Sequence, residues 1–171
     1  MELHYKQIAI RQAISSDAAL LASWWNDGSI MAHAGFPMGL GITEQEVSAT
    51  LESSNLILLF NDYPIGEMNY RRINSNTAEI GVKICVSSFQ NKGIGKIALS
   101  MLIEELFRNG YTQICLDTNL NNIRAQHVYE LLGFQKLRTN YNSWKNQLGL
   151  WESSVDYILT KSDFHNYIKK E

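Results

Sequence analysis

The sequence predicts a mixed α/β fold built on a single central sheet. Three observations carry that expectation. Short β-branched runs alternate with longer segments of helical periodicity, the order reads β-α-α-β-β-β-α-β-α-β-β, and no linker or repeat interrupts it. A chain of 171 residues with ample apolar content suits one domain, so residues 1–171 are taken as a single unit.

The opening run 7–13 alternates apolar and polar residues and reads as a strand. Ser16 is read as an N-cap with Asp17 in the first turn, ahead of a helix bearing Ala18, Leu21, Ala22 and Trp25. Asn26-Asp27-Gly28 stops it. Residues 29–42 read as a loop with a helical turn at its start, and Thr43 with Glu46 forms a capping box for a helix to about residue 53. Residues 56–60 and 65–71 pair as a hairpin across Asn61-Asp62-Tyr63-Pro64. After the turn at 74–76 comes a buried strand, 78–86, and from Ile94 the apolar residues Ile97, Ala98, Met101, Leu102 and Leu106 keep helical spacing. Asn109-Gly110 ends that helix. Strand 114–116, a helix with Ala125, Val128, Tyr129 and Leu132, and strands 134–138 and 155–159 complete the sheet. Residues 141–151 join the last two strands, and residues 161–171 are expected to form a short helix or to fray.

Composition narrows the function. A net charge of −2 without a basic block argues against nucleic acid, and no apolar run is long enough to span a membrane. The charged N-terminus lacks the apolar core of a signal peptide, so the expectation is a cytoplasmic protein. Cys85 and Cys115 lie in apolar runs and read as unreactive thiols in a reducing compartment. No Cys, His and carboxylate cluster has metal-ligand spacing, so no metal is expected.

Between the buried strand and the long helix lies Gln90-Asn91-Lys92-Gly93-Ile94-Gly95-Lys96. Glycines at a helix start let unpaired, partly positive N–H groups approach a ligand, which suits a phosphate or pyrophosphate. The Walker pattern and the third glycine of the dinucleotide fingerprint are both missing.

The spacing Gln90-x-x-Gly93-x-Gly95 resembles the Q/R-x-x-G-x-G/A motif of the Gcn5-related N-acetyltransferases, the GNAT superfamily. Asn122-x-x-Ala125-x-x-x-Tyr129-x-x-x-Gly133-Phe134 is similar to the block that closes the cofactor half of that family. The resemblance covers residues 78–134. Trp25-Asn26-Asp27 is similar to a stretch near the start of Rim-type and some aminoglycoside acetyltransferases.

The resemblance implies a mostly antiparallel sheet with helices on its flanks and two parallel strands splaying apart to admit the cofactor. It also implies acetyl-CoA as the cosubstrate, its pyrophosphate on the backbone of Gln90, Asn91, Lys92, Gly93, Ile94, Gly95 and Lys96. The pantetheine arm would lie along Ile84, Cys85 and Val86 and reach Asn122. Tyr129 would protonate the departing thiolate, since a phenol and a thiol have comparable pKa values. Glu79 would be the general base, with Glu67 as its rival and His33 as a further candidate. Trp25, His33 and Glu67 would contribute to the acceptor site, together with Trp24, Trp144 and Trp151 from its walls. The expected activity is transfer of an acetyl group to a primary amine, on a small molecule or a protein N-terminus, by direct attack. A CoA-binding sensor or interaction module without turnover is the alternative. The acceptor's identity stays open, as does oligomeric state, a homodimer included.

Overall fold

The computed structural model describes residues 1–168. Eight strands form one sheet in the order β1-β2-β3-β4-β5-β6-β8-β7: β1 Glu2–Tyr5, β2 Ile8–Gln12, β3 Asn55–Phe60, β4 Tyr63–Arg72, β5 Thr77–Ile84, β6 Gln113–Asn119, β7 Gln135–Lys145 and β8 Trp151–Thr160. All neighbours are antiparallel except β5 and β6. Those two pair in parallel only at Thr77↔Gln113, Ala78↔Ile114 and Glu79↔Cys115. Beyond Glu79 they part, while β6 stays paired to β8 as far as Asn119↔Ser154. The splay expected from the resemblance is therefore present.

Five helices flank the sheet: α1 Ala18–Trp25, α2 Gly28–Met31, α3 Glu44–Thr50, α4 Ile94–Arg108 and α5 Ile123–Leu131. On one face α4 buries Ile94, Ala98, Leu99, Met101, Leu102, Ile103, Leu106 and Phe107 against β-strand residues such as Ile10, Leu58, Met68, Ile80 and Ile114. Their alternation in β2 to β6 is what creates that apolar face. The opposite face is covered at the β2–β3 end by α1 and α3, through Leu21, Trp24, Val47, Ile57 and Leu59. Toward β6, β8 and β7 this second face is polar.

Four expectations need correction. The chain opens with a strand, β1, before the one expected at 7–13; the β1–β2 hairpin turns at Lys6, whose φ of 53° is unusual for a lysine. A half-exposed edge strand with no Gly or Asn in its turn offers little signal. At the start of α1 the capping residue is Asp17 rather than Ser16. Asp17 accepts from both Arg11 guanidinium nitrogens at 2.7 and 2.8 Å and from the Ile14 N–H at 2.8 Å. The Arg11 hydrogen bonds hold its carboxyl below the ordinary range, against the opposing pull of burial. Third, β7 and β8 extend well past the expected 134–138 and 155–159 into the segment assigned as a joining loop. Cross-strand pairing sustains a polar hairpin that periodicity cannot reveal. Last, residues 161–168 contain no helix and run as an irregular tail over α4 and α5, where Phe164 meets Phe107 at 5.8 Å. The remaining residues 169–171 of that segment lie outside the described residues. No helix among the described residues is long and apolar enough to cross a membrane.

Candidate active site

A cleft of about 1250 Å³ occupies the β5–β6 splay and runs from the start of α4 to the polar face of the sheet. Its outer end is the loop before α4. Asn91 and Gly93 have φ of 60° and 75°, a left-handed path for which glycine is the low-cost residue at the α4 cap. The first α4 bond runs from the Ile97 N–H to the Gly93 carbonyl at 3.3 Å. Among the described residues, nothing accepts from the N–H groups of Ile94, Gly95 and Lys96. A Cβ on Gly95 would meet only the Ile84 methyl at 3.5 Å, so the approach to this turn is open.

The cations around this turn have no carboxylate among the described residues. Lys92 Nζ sits 5.7 Å from the Phe89 ring centre, and Lys96 Nζ sits 3.9 Å from that of Tyr167. Arg124 donates at 3.2 Å to the side-chain oxygen of Gln90. Through its nitrogen, Gln90 donates to the Ile84 carbonyl at 2.9 Å, so its amide links the end of β5 to the start of α5. Of the cradle, Gln90, Asn91, Gly93, Ile94, Gly95 and Lys96 line the cleft, while Lys92 stands beside it.

Further in, Ile84 and Cys85 line the cleft and Val86 does not. The N–H groups of Cys85 and Val86 both donate to the Ile65 carbonyl, at 2.9 and 3.1 Å. These two donors therefore face β4. Burial, followed by the charge of Glu67, pushes the Cys85 thiol up to about 12, so it stays protonated at neutral pH and is a poor nucleophile. Asn122 caps α5, accepting from the Ala125 N–H at 3.3 Å, and also lines the cleft.

Tyr129 projects from α5 into the same space, wedged edge-on between Phe134 and Tyr157 at 5.9 and 5.8 Å. No described residue hydrogen-bonds its hydroxyl, and no fully enclosed side-chain oxygen among them lacks a partner. The hydroxyl must therefore open to the cleft. Burial first, then the charge of Asp117, raises its pKa above the ordinary phenol value, so it carries its proton throughout the neutral range.

The inner wall is built from β4, β5 and β6. Glu67 is fixed from both sides: the Trp25 indole N–H donates to one oxygen at 2.8 Å and Lys83 Nζ to the other at 3.0 Å. Trp25 thus reaches the site through Glu67 and does not line the cleft itself. His33 lines it. Glu79 does not; it is ion-paired to Arg71 where the parallel pairing ends. Besides Glu67, the carboxylate that lines the inner cleft is Asp117, which sequence reasoning missed. It follows Cys115 by two residues on β6 and so shares the face of Glu79. Displacement of water by the surrounding protein, then the charges of Glu79 and Asp156, raises its pKa above the ordinary carboxylate value. A strand read only as 114–116 stops one residue short of it; continuing the alternation would have found it.

The β7–β8 hairpin and the loop at residues 35–39 meet at this end. Gln147, at the tip of the β7–β8 hairpin, donates its backbone N–H to Gly35 and its amide to Gly39, both at 2.8 Å, and accepts from the Met38 N–H at 2.9 Å. Trp144 packs directly on Gly35, where a Cβ would fall 2.3 Å from its ring.

Comparison with known proteins agrees with this geometry. The Acetyltransferase (GNAT) family model matches residues 3–134, and the chain belongs to that family. Among curated proteins, it is 28% identical over 152 residues to the uncharacterized protein MJ1062 of Methanocaldococcus jannaschii, covering 84% of this chain and 31% of that one. It is 38% identical over 55 residues to the [ribosomal protein bS18]-alanine N-acetyltransferase of Salmonella typhimurium, covering 31% of this chain and 37% of that enzyme. The aligned part is thus about a third of each curated relative. The fold closely matches a GNAT-family acetyltransferase from Bacillus anthracis, with TM-score 0.82, 17% identity and coverage of 95% and 99% of the two chains. It likewise matches RimL, a ribosomal L7/L12 α-N-protein acetyltransferase in complex with coenzyme A, with TM-score 0.81, 15% identity and coverage of 94% and 98%. YncA from Salmonella typhimurium, a putative acetyltransferase with acetyl-CoA bound, matches at TM-score 0.74 and 20% identity, over 96% and 99%.

Proposed function

We propose that residues 1–171 form one acetyltransferase domain that moves an acetyl group from acetyl-CoA to a primary amine by direct attack. The observation that carries this reading is the cleft itself. At one end it holds cations with no carboxylate partner and helix N–H groups with no acceptor among the described residues, and it joins them to Tyr129 and Asp117 within the splay. The residues present fit the cosubstrate: the N–H groups of Ile94, Gly95 and Lys96, with Lys92, Lys96 and Arg124, would hold its phosphates. Asn122 would meet the pantetheine arm, and Ile84 and Cys85 would flank it. Acetyl-CoA supplies an activated thioester carbonyl.

The chain's own residues would do the rest. Asp117 accepts the proton that an ammonium acceptor must lose before it attacks, directly or through water, and its raised pKa makes it a better base than an ordinary carboxylate. This role passes to Asp117 from Glu79, which Arg71 holds away from the cleft. Tyr129 keeps its proton until the thiolate departs and then delivers it to sulfur. Glu67 and His33 line the acceptor side, with Trp25 fixing Glu67. The protonated Cys85 thiol favours direct attack over an acyl-enzyme.

A Rim-like amine, such as a protein N-terminus, and a small-molecule amine are both compatible acceptors. Purified protein incubated with acetyl-CoA and a panel of aminoglycosides, polyamines, amino acids and N-terminal peptides tests the reading. Amine-dependent release of CoA thiol is expected. CoA binding without such release across the panel would favour the sensor. One observation speaks for that second reading: the Ile84 carbonyl and the Cys85 and Val86 N–H groups already have partners inside the protein.

A further inference from the structure

The tail that follows β8 makes a set of contacts unrelated to the sheet. The Asp163 carbonyl lies so close to Gly133 that a Cβ there would fall 1.9 Å from it, and Gly133 has a φ of 95°. The His165 N–H donates to the Leu132 carbonyl at 2.9 Å. Tyr167 then crosses to α4. Its N–H donates at 3.2 Å to the hydroxyl of Ser100, which is fully buried, and its own hydroxyl donates at 3.3 Å to the Leu131 carbonyl on α5. Its ring lies 3.9 Å from Lys96 Nζ. Tyr167 does not line the cleft, yet it touches two residues that do, Lys96 and Leu131, one on each helix bounding its outer end.

We infer that Tyr167 is a positioning residue for the anionic end of the cofactor, holding Lys96 at the start of α4 so that its charge meets a phosphate. This rests on the proposed acetyl-CoA reading and extends it to a part of the chain beyond the matched residues 3–134. The physical argument has three parts. A free lysine side chain distributes its charge over many rotamers, and ordering it on binding costs entropy. A ring face attracts the ammonium without neutralising it, unlike a carboxylate, so the charge stays available to an anion. And Tyr167 is held at its backbone N–H by Ser100 and at its ring hydroxyl by Leu131, which keeps the ring beside Lys96. Lys96 has no carboxylate partner among the described residues that would give it another purpose.

The test uses the whole chain and two probes, CoA and pantetheine, which has the same arm but no phosphate. CoA affinity is read by calorimetry and pantetheine affinity by NMR titration. Tyr167→Met keeps apolar bulk but removes the ring; it should weaken CoA about fivefold while leaving pantetheine unchanged, within the range of a partly buried cation–ring contact. Tyr167→Phe retains the ring and the backbone bond to Ser100, losing only the hydroxyl bond to Leu131, and should keep most of the wild-type CoA affinity. Lys96→Met should show the same CoA-selective loss, and adding Tyr167→Met to it should cost little more. Equal losses for CoA and pantetheine would reduce Tyr167 to a structural strut. A Tyr167→Phe variant that falls as far as Lys96→Met would remove the ring from the explanation, even if the methionine variant fails to fold. A wild type that does not bind CoA would instead overturn the acetyl-CoA reading on which the inference rests.

Discussion

The two ends of the cleft carry opposite charge logic. At the α4 end, Lys92, Lys96 and Arg124 stand against two rings and an amide, with no carboxylate among the described residues to neutralise them. At the sheet end the cations are matched: Lys83 with Glu67 at 3.0 Å, Arg71 with Glu79, and Arg138 with Asp156 at 2.6 Å. Among the described residues Asp117 is then left without an ion-pair partner, its pKa raised by burial first and then by the charges of Glu79 and Asp156. A chain of net charge −2 therefore holds a cleft that favours an anion at one end and a cation at the other. Net charge is uninformative where function depends on which charges are left unpaired. The helix start adds its own partial positive charge to the first end, while strand ends contribute little to the second.

The largest expected effect breaks the first end. Gly95→Glu places a carboxylate beside the open N–H groups, and the space around Gly95 admits the side chain without a backbone clash. CoA affinity by calorimetry should fall at least about 100-fold, by charge repulsion and occlusion together. Unchanged affinity would mean that the uncompensated cations serve something other than a phosphate.

Next in size is Tyr129→Phe, which keeps the wedge between Phe134 and Tyr157 but removes the proton. With any acceptor found active, kcat should drop about 100-fold while CoA affinity is kept. A fully active phenylalanine variant would leave Tyr129 as a packing residue.

Asp117→Asn addresses the other end and should lower kcat/KM about 10- to 100-fold. Its sign with pH is fixed. A base works only when deprotonated, and the pKa of Asp117 is raised, so the acidic limb of kcat/KM should lie above the ordinary carboxylate value of about 3.9. The asparagine variant should lose that limb, whereas Glu79→Gln should retain it. If the Glu79 variant alone loses the limb, the base belongs to the ion-paired strand residue and the charge comparison must be redrawn.

The smallest effect is a control outside the cleft. Asp17→Asn disrupts the Arg11 pair and should cost about 1–2 kcal/mol in urea unfolding, with CoA affinity unchanged. Because the folded-state pKa of Asp17 is lowered, its contribution is present above the unfolded value of about 3.9 and fades as pH falls through the folded pKa. The variant's stability should lose that acid dependence.

Much of the molecule could be read from the chain because its physics is local. The β5 run, the glycines before α4 and the spacing of α4 each fix a backbone conformation within a few residues, and Gly93 takes a left-handed path that glycine adopts at low cost. Asn122 as a cap and the Thr43–Glu46 box follow equally from neighbours in sequence. Charge compensation is not local. Whether Glu79 or Asp117 faces the cleft depended on where β5 and β6 stop pairing, and on Arg71 lying across from Glu79 on β4. Tyr167 reached Lys96 only because a tail without periodicity found Gly133 just past α5, Leu131 on α5 and Ser100 on α4. The polar β7–β8 hairpin likewise formed on cross-strand pairs that alternation does not announce. Sequence by itself determined the family, the splayed sheet and the glycine-bearing turn at the start of α4. Tertiary structure decided which ionisable groups were left without partners, because a charge is neutralised by what lies near it in space rather than along the chain.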